Sequence, residues 1–299
     1  MMCEYKEIKD LKKSIEERFS EYWYKIFDIS KANFVLPNGI KVSKKNTNEN
    51  LKKLEKEIRN WEESIEKYRD GVKDYFKLDY FDEDSEDCYE YSEVKEELLA
   101  KNLWTVSSAL HSWDPALEKY KETFWATPPK DIFVTVHNIL VGAYDYMLNE
   151  GANIKFNRIN KIEQLNYDFL YEEDMLLTGV IGLGIRSEIL HRLYPSHFPI
   201  MTRKSIWGMY YITGRESEFV ADEYFDGKFR TEHNWNYDYG RFTFYNNFIG
   251  NLITQTLLEN NMDLNPQLRF GYVNEFLSCI NEMHKDEVEE LNRWKLMEV

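Results

Sequence analysis

GVIGLGIRSEILHRLYPSHFPIMTRK, residues 179–204, is the stretch on which the fold turns. Its glycines, Gly179, Gly182 and Gly184, are spaced G-x-x-G-x-G, the wrong order for a dinucleotide fingerprint, and no strand pattern precedes them. The spacing fits a tight turn between two helices, one over Ile162 to Leu177 and one over Arg186 to Leu193. Backbone N–H groups at the start of the second helix would face outward there, a geometry that suits a phosphate. Gly182, Gly184 and Arg186 are therefore the candidate phosphate contacts. The competing expectation is that the glycines merely let two helices pack closely.

Working outward, the pattern is helical almost everywhere. Ile8, Leu11, Ile15, Phe19, Tyr22, Trp23 and Ile26 recur at steps of three and four, predicting a first helix to about residue 28. Asn38-Gly39, set between Phe34-Val35-Leu36 and Ile40-Lys41-Val42, is a hairpin signal because Asn-Gly tolerates the positive φ angles of a type I′ turn. Leu51, Leu54, Ile58, Trp61, Ile65, Tyr68 and Val72 then form a heptad-like seam. An amphipathic helix is the plain expectation, and an oligomerisation surface through Leu54, Ile58, Trp61, Ile65 and Tyr68 is the functional one. Further helices are expected over Glu93 to Leu110, Asp131 to Asn149, Phe242 to Asn260 and Tyr272 to Met297. Strands do not alternate with helices, which argues against a nucleotide-binding parallel sheet. The chain reads as mainly α, with an N-terminal helical and β-hairpin extension over 1–92 and a helical domain over 93–299.

Charge narrows the function classes. The 299 residues carry a formal net charge of -15, which repels phosphate and favours basic protein partners over a nucleic-acid duplex. Asp79 to Glu90 holds seven acidic side chains and no basic one, so it should form a solvated loop. Within it Asp82, Glu83, Asp84, Glu86 and Asp87 are candidate docking residues for a basic surface. Aromatic residues make up 16% of the chain, and EHNWNYDYGRF, from Glu232 to Phe242, adds Trp235, Tyr237 and Tyr239 as candidate interface anchors. Cys3, Cys88 and Cys279 lie too far apart in sequence to suggest a disulfide framework or a zinc site. The charged N-terminus and the lack of a long apolar run predict neither secretion nor a membrane span, and hence a cytoplasmic location.

No metal or cofactor is expected. Glu188 and His191 have the i, i+3 spacing of a carboxylate-bridged metal site, but no second such pair exists to complete it. His111, His137, His197 and His233 stand singly, outside any nucleophile motif.

Leu177, Gly182-Leu183-Gly184, Ser187, Phe198-Pro199-Ile200 and the helix starting near Arg203 resemble the helix-hairpin-helix DNA glycosylase superfamily. The resemblance covers about 177–210 in motif and 95–299 in expected fold. It implies a DNA-binding hairpin and a catalytic aspartate after the Pro-Ile segment, where this chain has Met201-Thr202-Arg203. From Ile189 through Arg215 there is no Asp or Glu at all. Where some members of the superfamily place a lysine nucleophile, this chain has Arg186, too basic to act as an amine nucleophile. The expectation is a non-catalytic scaffold.

In overall profile the chain also resembles virus-encoded inhibitors of bacterial defence systems, the Gabija anti-defence family in particular. That resemblance implies a phage-encoded homo-oligomer in the host cytoplasm that wraps a nuclease-helicase complex and keeps it from DNA. The alternatives are a DNA glycosylase or lyase with a displaced acid such as Asp222, Glu223 or Glu232, and a repair or defence protein that binds DNA through the hairpin.

Overall fold

The computed structural model describes residues 2–28, 47–215, 224–225, 228–229 and 239–297. The Asn38-Gly39 hairpin and the residues Asp222, Glu223, Glu232, His233, Trp235 and Tyr237 lie outside the described residues. The chain is mainly helical. Its α-helices are α1 (Met2–Ile26), α2 (Thr47–Asp70), α3 (Tyr91–Glu93), α4 (Trp104–Leu110), α5 (Glu118–Ala126), α6 (Pro129–Asn149), α7 (Leu183–Leu193), α8 (Arg203–Thr213), α9 (Tyr239–Leu258), α10 (Arg269–Met283) and α11 (Lys285–Met297). A two-residue strand pair, β1 (Tyr224–Phe225) and β2 (Lys228–Phe229), runs antiparallel. Among the described residues no helix is long and apolar enough to cross a membrane.

The expected division near residue 92 is corrected. One compact unit comprises residues 1–64, 202–238 and 245–299, and the other comprises 65–201 and 239–244. The N-terminal segment is no separate arm, because the apolar face of α1 needs cover that lies far downstream. Ile15, Phe19 and Trp23 are fully buried, with Phe19 5.1 Å and Trp23 6.0 Å from the Phe276 ring on α10. The same unit holds α8, which starts on a capping box between Thr202 and Ser205 and ends at Gly214 in the left-handed region, φ 93°. Ser14 Oγ on α1 donates to the Thr213 carbonyl at 2.7 Å, satisfying an acceptor of the last turn of α8.

The second unit is organised on α6. Ile132, Phe133, Val136, Ile139, Leu140, Ala143 and Tyr146 are its buried face, at steps of three and four. Phe81 and Tyr91 pack on Phe133 at 5.3 and 5.0 Å, while Phe169 and Phe198 each lie 5.3 Å from Tyr146.

Three expected helices are interrupted. Glu93 to Leu110 is divided at Leu103, whose extended backbone separates the π-helical turns Val94–Asn102 from α4. Tyr272 to Met297 breaks at His284 between α10 and α11. Ile162 to Leu177 contains only short 3-10 turns, Ile162–Leu165, Asp168–Tyr171 and Glu173–Met175. Its buried positions, Leu165, Tyr167, Leu170 and Met175, follow no helical period, and Asn166 takes the left-handed conformation at φ 53°.

Candidate functional site

The glycine turn of the opening stretch is present, but no α-helix leads into it. Leu177 and Ile181 pair across it, with Ile181 N donating to Leu177 O at 2.8 Å and Leu177 N to Ile181 O at 3.3 Å. Gly179, at φ 75°, is the position where the turn needs glycine. Gly182 precedes α7 in extended conformation with open space around its Cα, and a Cβ at Gly184 would meet Met201 O at an ordinary 3.4 Å. Neither is held to glycine by its surroundings.

Arg186 corrects the phosphate-contact expectation. Its side chain is buried, with Nη1 donating to the Leu170 carbonyl, so its charge faces the interior of its own unit. Burial also pulls its pKa below the ordinary range. Ser187 Oγ accepts from Met201 N at 2.9 Å and donates to Gly184 O at 2.8 Å, fastening the Pro-Ile segment onto the first turn of α7.

At the centre of α7 lies a buried ionic cluster that sequence spacing did not reveal. Glu188 is fully buried. Its Oε1 accepts from Tyr68 Oη at 2.6 Å, Trp104 N at 3.0 Å and Arg192 Nη2 at 2.7 Å, and its Oε2 accepts from Thr105 N at 2.7 Å. The carboxylate thus caps the first turn of α4 and neutralises Arg192, as an anion at a helix N-terminus should. The Arg192 guanidinium stacks 3.4 Å over the Tyr68 ring and donates to Tyr68 O at 2.5 Å. Burial first, and then Glu188, push the Tyr68 phenol far above its ordinary range. The carboxylate is saturated with donors and shielded from solvent.

Glu188 and His191 do not form the pair that their spacing suggested. His191 Nδ1 donates to the Phe198 carbonyl at 2.7 Å. Burial chiefly lowers its pKa from 6.5 to about 4. A folded-state pKa below the unfolded value means that the unfolded chain binds more protons between the two. Stability is therefore full above pH 6.5 and falls as the pH drops towards 4, by at most about 1.4 kcal/mol per pH unit. His191→Asn should flatten that part of the stability curve, as read by urea unfolding at a series of pH values. Ser196 Oγ lies 2.8 Å from His197 Nδ1, a serine-histidine contact also missed in sequence; His197 Nε2 meets the Gly151 carbonyl at 3.0 Å, which leaves Nδ1 to accept from the hydroxyl of Ser196, itself buried. Among the described residues no three His, Cys, Asp or Glu side chains converge as a metal site.

Two further expectations change. Tyr239 is no surface anchor: it is fully buried, its hydroxyl donating to Pro199 O at 2.7 Å and its N–H to Tyr171 Oη at 2.7 Å, because α9 begins three residues before the expected Phe242. The α2 seam is spent inside the chain. Leu54, Ile58, Trp61 and Ile65 are buried, with Trp61 5.1 Å from Phe27, and Tyr68 is held by Glu188. These side chains are not available to a second copy.

The acidic segment does face solvent. Asp82, Glu83, Asp84, Glu86 and Asp87 are all exposed, and Phe81, 1% exposed, pins the loop to Phe133. The exposed carboxylates continue through Glu90, Glu93, Glu96 and Glu97. The one basic residue from Asp79 to Glu97 is Lys95, and it is buried. Its Nζ donates to the carbonyls of Trp125 and Thr127 at 2.8 and 2.7 Å, where the end of α5 concentrates negative dipole. The amine is thereby removed from the outer surface, which keeps a band of carboxylates unopposed by it.

No family model matches the chain, and no curated protein or solved structure matches it.

Proposed function

We propose that this chain is a non-catalytic binding protein that occludes a basic, nucleic-acid-processing protein complex, of the kind formed by the Gabija nuclease and helicase, and so blocks DNA binding and cleavage. The observation that carries this reading is the band of exposed carboxylates from Asp79 to Glu97, whose single basic residue, Lys95, is turned inward. Such a field attracts the cationic groove of a DNA-handling protein and repels DNA itself. The residues around the hairpin support the same choice. Arg186 is committed to the Leu170 carbonyl, and Glu188, the carboxylate nearest the Pro-Ile segment in sequence, accepts from Tyr68, Trp104, Thr105 and Arg192.

The test is a DNA-cleavage assay with a purified Gabija-type complex, paired with co-elution on a sizing column. Stoichiometric addition of the chain should suppress cleavage, and co-elution should weaken as salt rises. Full cleavage with no co-elution, or release of bases from damaged DNA by the chain alone, would overturn the reading.

A further inference from the structure

The turn between α4 and α5 presents Trp113 to solvent at 98% exposure. An indole left almost wholly in water is costly, since aromatic side chains dominate burial energetics. This one is displayed on a well-tied turn. Lys121 Nζ donates to Ser112 O at 2.6 Å, Asp114 N donates to Ser112 Oγ at 3.1 Å, and Asp114 Oδ1 accepts from Ala116 N at 3.0 Å. Leu117 N closes the turn on Asp114 O at 3.0 Å. A preorganised aromatic anchor loses little freedom when a partner covers it.

Near the C-terminal end of α5, Trp125 is 53% exposed, and its carbonyl is one of the two held by Lys95 of the acidic band. The nine residues of α5, about 13 Å long, lie between the two tryptophans along the chain, and both indoles are exposed. Lys95 is engaged on carbonyls, Lys121 on Ser112 and Glu118, and Lys101 on Glu97, while α5 itself balances Glu118 and Glu122 against Lys119 and Lys121, so the excess negative charge is that of the acidic band. Charge therefore selects the occupant. A second copy of this chain would bring another acidic band against the first, whereas a cationic segment is attracted by that band and finds the exposed Trp113 indole and the outer part of Trp125, whose ring already meets Lys95 Nζ at 5.7 Å.

We propose that Trp113 and Trp125, with α5 between them, form the docking surface for a cationic protein segment that interleaves arginine with apolar side chains. This rests on the binding-protein reading and assigns it a face. Neither aromatic anchors alone nor carboxylates alone would favour such a segment; the acidic band supplies attraction and the two indoles supply the desolvated contact.

The test uses the full chain and a fluorescein-labelled peptide alternating arginine and leucine, read by anisotropy, beside a peptide of equal charge alternating lysine and serine. The arginine-leucine peptide should bind more tightly and release at about 0.5 M salt, where surface charges are screened. Trp113→Ala and Trp125→Ala should each weaken it about tenfold or more. Trp113→Phe should retain most of the binding, and Leu148→Ala, at an exposed apolar position on α6, should change nothing. Equal binding of the two peptides, tryptophan variants that bind as the parent does, or a dimer of the chain that Trp113→Ala dissociates would each overturn the assignment. The same variants separate the two claims. If they still co-elute with the nuclease complex, this face is wrong and the function stands; if the parent chain binds the arginine-leucine peptide but not the complex, the function is wrong and the face stands.

Discussion

Replacing Glu188 with alanine is expected to destabilise the unit that spans 65–201 by about 3–5 kcal/mol, a large share of the roughly 5–15 kcal/mol available to a folded domain. The loss has identifiable parts. Arg192, 4% exposed, would keep its charge without a counter-ion, the Tyr68 hydroxyl would lose its acceptor, and the N–H groups of Trp104 and Thr105 would be stranded at the start of α4. Urea unfolding should show the midpoint falling sharply. Glu188→Gln keeps the shape and removes the charge, so it should lose less, and adding Arg192→Met to it should recover part of that loss by removing the buried cation. An unchanged midpoint for Glu188→Ala would end the account of this cluster as the brace between α2, α4 and α7. If Glu188→Gln kept its stability and abolished a base-releasing activity, the non-catalytic reading would fall with it.

The second large effect is expected at Gly208, in α8. A Cβ placed there would lie 2.3 Å from Leu277 O and 2.8 Å from Leu277 C and Cβ on α10, and two of these atoms are backbone. Alanine is the better helix former by about 1 kcal/mol, but that gain is outweighed because the two helices must separate by more than an ångström to admit the methyl group. Gly208→Ala should therefore cost about 3 kcal/mol. Gly182→Ala is the contrast: nothing lies within 4 Å of its Cβ and its φ is -100°, so stability should barely change. Thermal unfolding of both variants measures the difference. Equal losses would mean that the turn before α7 is tighter than its geometry implies.

These contrasts show where the residue pattern was sufficient. The periodicity of α1 and α2 located those helices because each buries a continuous stripe against neighbours, and a stripe is what a 3.6-residue repeat records. The acidic run was legible for a related reason: like charges next to each other in sequence cannot be packed away together, so Asp82 to Asp87 had to face water. Over 162–177 the signal failed. Tyr167 is buried by aromatic neighbours at Tyr146, Phe198 and Tyr239 rather than by a helical face, and Asn166 turns the chain where no proline or glycine marks a break.

The candidate surface divides in the same way. Its carboxylates were readable in order along the chain, but Trp113 and Trp125 were not, because an indole in sequence looks the same whether it anchors a core or a partner. Tyr239 shows the converse, an expected surface anchor that is fully buried.

By itself, the sequence determined that the chain is mainly helical, strongly acidic and without Asp or Glu from Ile189 through Arg215, because those properties are sums over residues or repeats between near neighbours. Tertiary structure decided that α1 joins the C-terminal helices, that Arg186 points inward, that Glu188 is saturated with donors and that Trp113 stands in water. Each of those depends on groups distant in sequence meeting in space, or failing to meet, and which groups meet is settled when the core packs.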